Sequence, residues 1–476
     1  IGSLLKELNL RFLDISMKRL FISFLIILSS SLLFASITIE EAEEMMMRNN
    51  PSIRSAEEAV VQAGLDLKDS KANFSPTIEL SGSMTYMTDP LIGPVIMESS
   101  DILSQMGLGS YADSASGYVT LYDGMENTMY MGSLSLTQPL ITWGKLGKAV
   151  DLYQNILTAQ SLRKDDTVAQ LKAELRIRVW SLKYLKEMNA LVDEASTLSK
   201  ELVDIAKSGY ESGMLLRQDW LSAEISTLEV EVKKAELDQN NSSALEGLRS
   251  LIGDYTLLVD DIEMPEDESF LYKYKEIDLD SLIEKATNDN SNNLKAIKNL
   301  IGAYSNQKSI AERSMYGIPD FALQAELSYS NSRLPFIQTG WKQNDNNSLN
   351  LSIGFKTTLW DGGKAINNLN RAKSNIRDAE SQYDGALSQI RSAVISNYNG
   401  MKTNIANIEY QSEKIENLNS ELENIRIGLK YGQNSVSDEK QKMLEIVEAK
   451  SNLLASKIAL VQNVYTLDYL VGAEIL

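Results

Sequence analysis

The sequence predicts a mainly α-helical chain with a small β part: a duplicated pair of long coiled-coil helices, plus four antiparallel strands. Three observations carry this. First, Trp143 to Gly253 is repeated as Gly362 to Gly472: Gly144 and Gly363, Gly209 and Gly428, Gly213 and Gly432, Asp219 and Asp438, and Gly253 and Gly472 all stand 219 positions apart. A constant offset without a slip marks two copies of one structural unit. Second, no proline falls between Pro139 and Pro265 or after Pro335, so each copy can be helix nearly throughout. Third, four runs alternate strictly between apolar and polar residues, and period two means strand.

Taken in order, residues 1–35 read as an upstream segment and a secretory signal peptide. Met17, Lys18 and Arg19 open a basic region, and Phe21 to Phe34 is an apolar run. That run is short for a bilayer span, which takes about 20 residues, and cleavage after Ala35 fits a signal peptide. Residues 36–75 read as the first copy's short helices, which the resemblance set out below would place in the periplasm, broken at Asn49-Asn50-Pro51. Residues 278–317 are their second copy, with Asn49 matching Asn292 and Pro76 matching Pro319 at an offset of 243. The first copy is therefore 24 residues longer, and the excess lies between Pro76 and Gly144. Loops absorb insertions, so 76–142 is predicted as a hairpin with a long loop.

Within that hairpin, Ile78, Leu80, Gly82, Met84 and Tyr86 share one face, and Thr77, Glu79, Ser81, Ser83 and Thr85 the other. Tyr130, Gly132, Leu134 and Leu136 alternate in the same way with Met131, Ser133, Ser135 and Thr137. The second hairpin, 318–361, has Phe321, Leu323, Ala325, Leu327 and Tyr329, then Leu349, Leu351, Ile353 and Phe355, on its apolar face. Runs of about 10 residues match a tilted membrane strand. About eight strands make the smallest barrel with a filled interior, and lipid tolerates no open edge. Four strands per chain therefore predict a barrel shared by several copies. Glu79 and Glu326 then face its lumen. Trp143 and Trp360, just past the strands, sit where aromatic rings favour a membrane–water interface.

Residues 143–253 and 362–476 are the long helices. Apolar residues recur at spacings of three and four, at Leu221, Ile225, Leu228, Val232 and at Leu444, Val447, Ser451, Leu454, which is a coiled-coil seam. Each helix is expected to fold back at a glycine-marked turn, Gly209 to Gly213 and Gly428 to Gly432, because glycine permits a positive φ. Residues 254–277 read as an acidic, irregular linker.

Composition narrows function. The formal charge is −19, so nucleic acid is an unsuitable partner. With no cysteine and no histidine, disulfides, thiol nucleophiles, His or Cys metal sites and the commonest general base are excluded. No Gly-rich phosphate loop precedes a Lys-Ser or Lys-Thr pair. The chain is predicted to be no enzyme and to take no cofactor.

The order of motifs resembles the outer-membrane efflux, or TolC-like, family across residues 37–476. The resemblance rests on Asn49-Asn50-Pro51, on Phe74-Ser75-Pro76 and Ile318-Pro319 leading into strands, on Trp360-Asp361-Gly362-Gly363-Lys364 leading out, on Tyr431-Gly432, and on Leu470-Val471-Gly472. The first copy departs with Trp143-Gly144-Lys145 at the corresponding corner. The resemblance implies a homotrimer whose twelve-stranded transmembrane β-barrel lies in outer-membrane lipid and continues into a periplasmic helical tunnel. It implies docking on a periplasmic adaptor (membrane fusion) protein and an inner-membrane transporter. Adaptor contact falls at the tips, on Gly213, Met214 and Leu215 and on Gly432, Gln433 and Asn434. Asp438 takes the place of a pore-narrowing carboxylate, with Asp219 as its repeat partner. Three symmetric carboxylates in an aperture attract cations; the competing role is that of a helix first-turn acid. The function implied is a passive exit duct of a tripartite efflux or type I secretion system, carrying small toxic compounds, metal ions or polypeptides. The alternative is a periplasmic coiled-coil or outer-membrane scaffold without transport.

Overall fold

A computed structural model describes residues 36–89, 93–122, 127–288, 291–331, 346–431 and 433–472. The expected signal peptide, 1–35, lies outside the described residues. In chain order the elements are α1 (Ile39–Asn49), α2 (Pro51–Ala72), β1 (Thr77–Tyr86), β2 (Val95–Glu98), α3 (Ser99–Gln105), α4 (Gly109–Ala112), β3 (Tyr118–Tyr122), β4 (Thr128–Ile141), α5 (Lys145–Glu211) and α6 (Arg217–Ile252). After two 3-10 turns come α7 (Leu279–Thr287), α8 (Asn292–Met315), β5 (Asp320–Asn331), β6 (Asn346–Lys356), α9 (Lys364–Lys430) and α10 (Val436–Val471). The chain forms two compact units, one of residues 62–157 and 300–379, the other of the remainder.

The first unit holds a four-stranded antiparallel sheet in the order β1-β4-β5-β6. Its register turns the sequence alternation into rows. Leu80, Leu134, Leu327 and Leu349 stand side by side across all four strands, as do Ile78, Leu136, Ala325 and Leu351. On the other face Ser81, Ser133, Ser328 and Ser348 form one row, with hydroxyl bonds of 2.8 Å (Ser81 to Ser133) and 2.6 Å (Ser328 to Ser348). Side chains one residue apart point to opposite faces, so a single slip would exchange the two rows. The apolar row is bare: Leu80 is 83% exposed and Leu349 74%. β1 and β6 are the two edges, each paired on one side. Among the described residues no helix is long and apolar enough to cross a membrane.

The excess length of the first hairpin folds into β2, α3, α4 and β3. The two short strands pair antiparallel, and Ala112 alone of the residues in these four elements is buried. Tight corners join strands to helices. Trp143 and Gly144 both take positive φ (54° and 74°), and Arg313 donates to the Trp143 carbonyl. Asp361 caps α9 by accepting from the Gly363 and Ala365 amides at 2.9 and 2.7 Å.

The second unit is built from the long helices. α5 packs against α6 through Leu185, Val192 and Leu237, with Lys234 on Asp193 at 2.6 Å. α5 also packs against α10, through Ala195, Leu198 and Val447, with Lys440 on Glu201 at 2.6 Å. α10 meets α9 through Leu418, Leu422, Ile446 and Ala449, with Lys442 on Glu421 at 2.8 Å. The lateral order is therefore α6-α5-α10-α9. The two seams read from sequence have different fates. Val447 and Leu454 are buried, whereas Leu221, Ile225, Leu228 and Val232 on α6 are all exposed in the single chain.

The Asn49-Asn50-Pro51 break has a clear physical cause. Asn50 is extended, as a residue before proline must be, and Pro51 opens α2 where a missing N–H costs nothing. Asn49 and Asn50 donate to the carbonyls of Ile252 and Leu251 at 3.3 and 3.0 Å, satisfying the end of α6. Gly253 ends that helix at φ 76°, and a Cβ there would lie 2.7 Å from that of Asn49.

The 254–277 stretch is ordered, with two 3-10 turns, and it buries Leu257, Ile262, Leu271 and Tyr274. Its acidic Glu268 bridges Lys457 at 2.6 Å and Lys183 at 3.6 Å. Acidic, proline-containing composition read as a loop, yet its apolar residues fill the cores between the helices.

Candidate functional site

The candidate site has two parts, one in each unit. The first is the pair of helix turns. The α5–α6 turn is a Schellman motif: Met214 N–H bonds the Gly209 carbonyl at 2.9 Å and Gly213 N–H the Tyr210 carbonyl at 3.0 Å. Gly213 is left-handed at φ 76°. Gly209 is not a helix stop, as the sequence suggested. It lies inside α5, and its lack of a side chain lets Leu215 fold over it, since a Cβ would meet Leu215 Cδ1 at 2.6 Å. The second turn repeats the device. Gln433 N–H bonds the Gly428 carbonyl at 2.9 Å, and Asn434 lies over Gly428, itself inside α9. Gly432 lies outside the described residues.

Both aspartates occupy the third position of their helices and accept bonds there. Asp219 takes the Leu216 N–H at 2.9 Å. Asp438 takes the Ser435 N–H and hydroxyl, both at 2.7 Å, while Ser435 Oγ accepts from Asp438 N–H at 3.2 Å. This is a full capping box in the second copy and half of one in the first, where Leu216 replaces the serine. The Ser435 amide and hydroxyl bonds hold the Asp438 carboxyl below the usual carboxylate range, against a small opposing effect of burial. Both aspartates remain exposed. A depressed folded-state value means that the cap's contribution is present above the ordinary value of about 4 and is lost as pH falls through the lower folded value. Protection of the amides at the start of α10, measured as exchange relative to the intrinsic rate at each pH, is therefore expected to fall in acid, and to be low and pH-insensitive in Asp438→Asn. Equal behaviour of the two proteins would dismiss the cap.

Sequence reasoning did not find the pairs beneath the turns. Tyr210 stacks on Trp220 with centroids 5.6 Å apart. In the second copy Leu429 stands for Tyr210, and Glu439, which stands for Trp220, pairs at 2.9 Å with Arg426, which also bridges Glu423 at 3.1 Å. One turn is closed by aromatic contact and the other by charge. The signal was available: Trp220 and Glu439 are repeat partners. The tips differ likewise. Met214 (79% exposed), Leu215 and Leu216 make the first apolar, whereas Gln433, Asn434 and Ser435 make the second polar.

The second part is the strand–helix corner. Trp143 is half exposed, and its Nε1 donates to the Pro319 carbonyl at 2.8 Å. Trp360 is 85% exposed. Lys145 pairs with Asp320 beside the Trp143 corner. Nothing here resembles a catalytic constellation, and no metal-ligating cluster occurs among the described residues.

Comparisons with known proteins agree with this architecture. No curated protein matches the chain. Its fold is similar to that of the outer membrane protein VceC of Vibrio cholerae (16% identity, 91% of this chain and 96% of that one, TM-score 0.68). It is similar also to a membrane protein of Pseudomonas aeruginosa (14%, 91% and 90%, TM-score 0.69) and to the outer membrane channel CmeC of Campylobacter jejuni (14%, 91% and 85%, TM-score 0.67). The family model described as outer membrane efflux protein matches residues 44–254 and 286–473. With both repeats matched and the strand and helix pattern of the fold in place, the chain belongs to the outer membrane efflux protein family.

Proposed function

We propose that three copies pool their sheets into a twelve-stranded barrel in the outer membrane, joined to a helical conduit in the periplasm. The observation that carries this reading is the sheet. It has one apolar face without cover, one hydroxyl-lined face and two unpaired edges. In lipid the apolar face needs no cover, and edges persist only if another chain pairs with them. The bare stripe on α6 makes the same demand in the helical unit.

The conduit is a passive exit duct for small toxic compounds, metal ions or polypeptides. An inner-membrane transporter, reached through a periplasmic adaptor, supplies the energy. The adaptor docks at Gly213, Met214 and Leu215 and at Gly432, Gln433 and Asn434. Asp438, with Asp219, rings the narrow end. The capping bonds keep the Asp438 carboxylate charged and fixed, which suits such a ring as well as it suits a helix start. Trp143 and Trp360 lie at the lipid–water boundary.

Deleting the gene and challenging cells with a panel of toxic compounds, beside a profile of secreted proteins, tests the duct. Unchanged sensitivity and secretion, with the protein still in the outer membrane, would favour the scaffold reading. In planar bilayers Asp438→Ala is expected to raise conductance and lower cation preference several-fold; unchanged values would remove the aperture role.

A further inference from the structure

The internal repeat says how two copies of this chain must join. The two hairpins pair in one register. Offsets of 243 for the first strand and 219 for the second turn Leu80 opposite Leu134 into Leu323 opposite Ile353, both of which are observed. The junction between the hairpins is also observed: β4 meets β5 with Leu134 opposite Leu327 and Ser133 opposite Ser328. That junction joins the last strand of copy one to the first strand of copy two. The free edges are the last strand of copy two, β6, and the first strand of copy one, β1. A barrel of several chains has to join those two, and the chain already contains the template.

We infer that β6 of one chain pairs with β1 of the next in the register of its own β4–β5 junction. Resting on the shared-barrel reading, this places Ile353 opposite the partner's Met84, Leu351 opposite the partner's Tyr86, and Ser352 opposite the partner's Thr85. The register has two consequences, of which the second is specific to it. Leu351, Ile353 and Phe355 meet apolar-face positions, as they would after any two-residue shift, while Leu349 falls opposite the partner's Thr88, past the end of β1. Phe355 falls opposite the partner's Gly82, where an aromatic ring covers the bare backbone of a strand glycine.

The same rule applied to the helical unit gives a second expectation. Inside the chain, α5 of copy one packs against α10 of copy two: Val447 and Leu444 lie on Ala195 and Leu198. The equivalent contact between chains sets α9 against the next copy's α6. The 219 offset then brings the partner's Leu228 and Ile225, bare in the single chain, against Lys414 and Asn417, of which Lys414 has a methylene stem long enough to cover them. Long polar side chains covering an apolar stripe with their stems is a familiar arrangement.

The chain contains no cysteine, so engineered pairs can be read without background. Double variants Ile353→Cys with Met84→Cys, and Ser352→Cys with Thr85→Cys, cover two adjacent cross-strand pairs. In an antiparallel ladder one of two such pairs is the close, non-hydrogen-bonded one, within disulfide reach. Mild oxidation of the full protein in outer membranes is expected to give a reducible covalent trimer. Its yield should be at least ten-fold above that of the two-residue slips, Ser352→Cys with Ser83→Cys and Ile353→Cys with Gly82→Cys. A native trimer, seen by mass in detergent, that links better through a slipped pair or through none overturns the register and leaves the shared barrel intact. A protein that is monomeric by mass and never links overturns the shared barrel and the register with it.

Discussion

Leu134→Arg is expected to abolish insertion of the protein into the outer membrane, whereas Ser133→Arg, one residue away, leaves it assembled. Leu134 sits midway along β4, a central strand, between Leu80 and Leu327 in the apolar row. An arginine facing lipid at the bilayer midplane costs about 2–4 kcal/mol per strand, and a trimer carries it three times. Ser133 lies on the opposite face, hydroxyl to hydroxyl with Ser81 at 2.8 Å. An arginine there meets water in the proposed lumen, next to the row that holds both Glu79 and Glu326. The measurement is the fraction of heat-modifiable trimer recovered from outer membranes. If both variants assemble alike, the two faces have been assigned wrongly and the sheet is not a membrane wall. Ser133→Arg adds a second reading, because three cations in the lumen should lower cation selectivity in planar bilayers while Leu134→Arg gives no channels to record.

Much of this chain could be read before the structure. A repeat offset that never slips forces matched turns, and both turns use the same carbonyl, that of Gly209 or Gly428. Strict alternation over four runs fixed the two faces, and the register confirms that equal faces meet. What escaped depends on contacts distant in sequence. Gly209 and Gly428 looked like helix stops because glycine signals φ freedom; here glycine is needed for room, against Leu215 and Asn434. The stripe of Leu221, Ile225, Leu228 and Val232 has perfect seam spacing, but periodicity says only that a face wants cover, not whether one chain supplies it. At the candidate site, the spacing of Ser435 to Asp438 announces a capping box, whereas Tyr210 on Trp220 requires the turn to close first. The packing of residues 254–277 was not legible for a related reason. Composition counts charges, while packing depends on where Leu257, Ile262, Leu271 and Tyr274 land.

That stretch supplies the second large effect. Asp468, on α10, is 3% exposed, and its partners come from the stretch between the copies. The Tyr274 hydroxyl donates to Asp468 Oδ1, and Lys273 Nζ reaches the same oxygen at 3.1 Å. Burial, with the carboxylate bond second, pushes the Tyr274 phenol well up, so it stays a neutral donor at any physiological pH. Asp468→Ala leaves a buried hydroxyl and a half-buried ammonium without their acceptor. Orphaning such groups costs about 2–4 kcal/mol, or roughly thirty-fold to a thousand-fold in the local opening equilibrium. Asp468→Asn keeps the shape and one acceptor oxygen, and should cost about half as much. Glu268→Ala should cost less again, because its partners Lys183 and Lys457 keep partial access to water. Limited proteolysis within 254–277 reports the opening directly: the cleavage rate should rise in the order wild type, Glu268→Ala, Asp468→Asn, Asp468→Ala. A flat series would mean that the apolar residues alone hold the stretch down and that the buried carboxylate is dispensable. The series also bears on transport. If this clasp ties copy one to copy two, a variant that opens it without losing the trimer should still form channels, because the α5–α10 contact between the copies rests on Ala195, Leu198 and Val447 and not on Asp468.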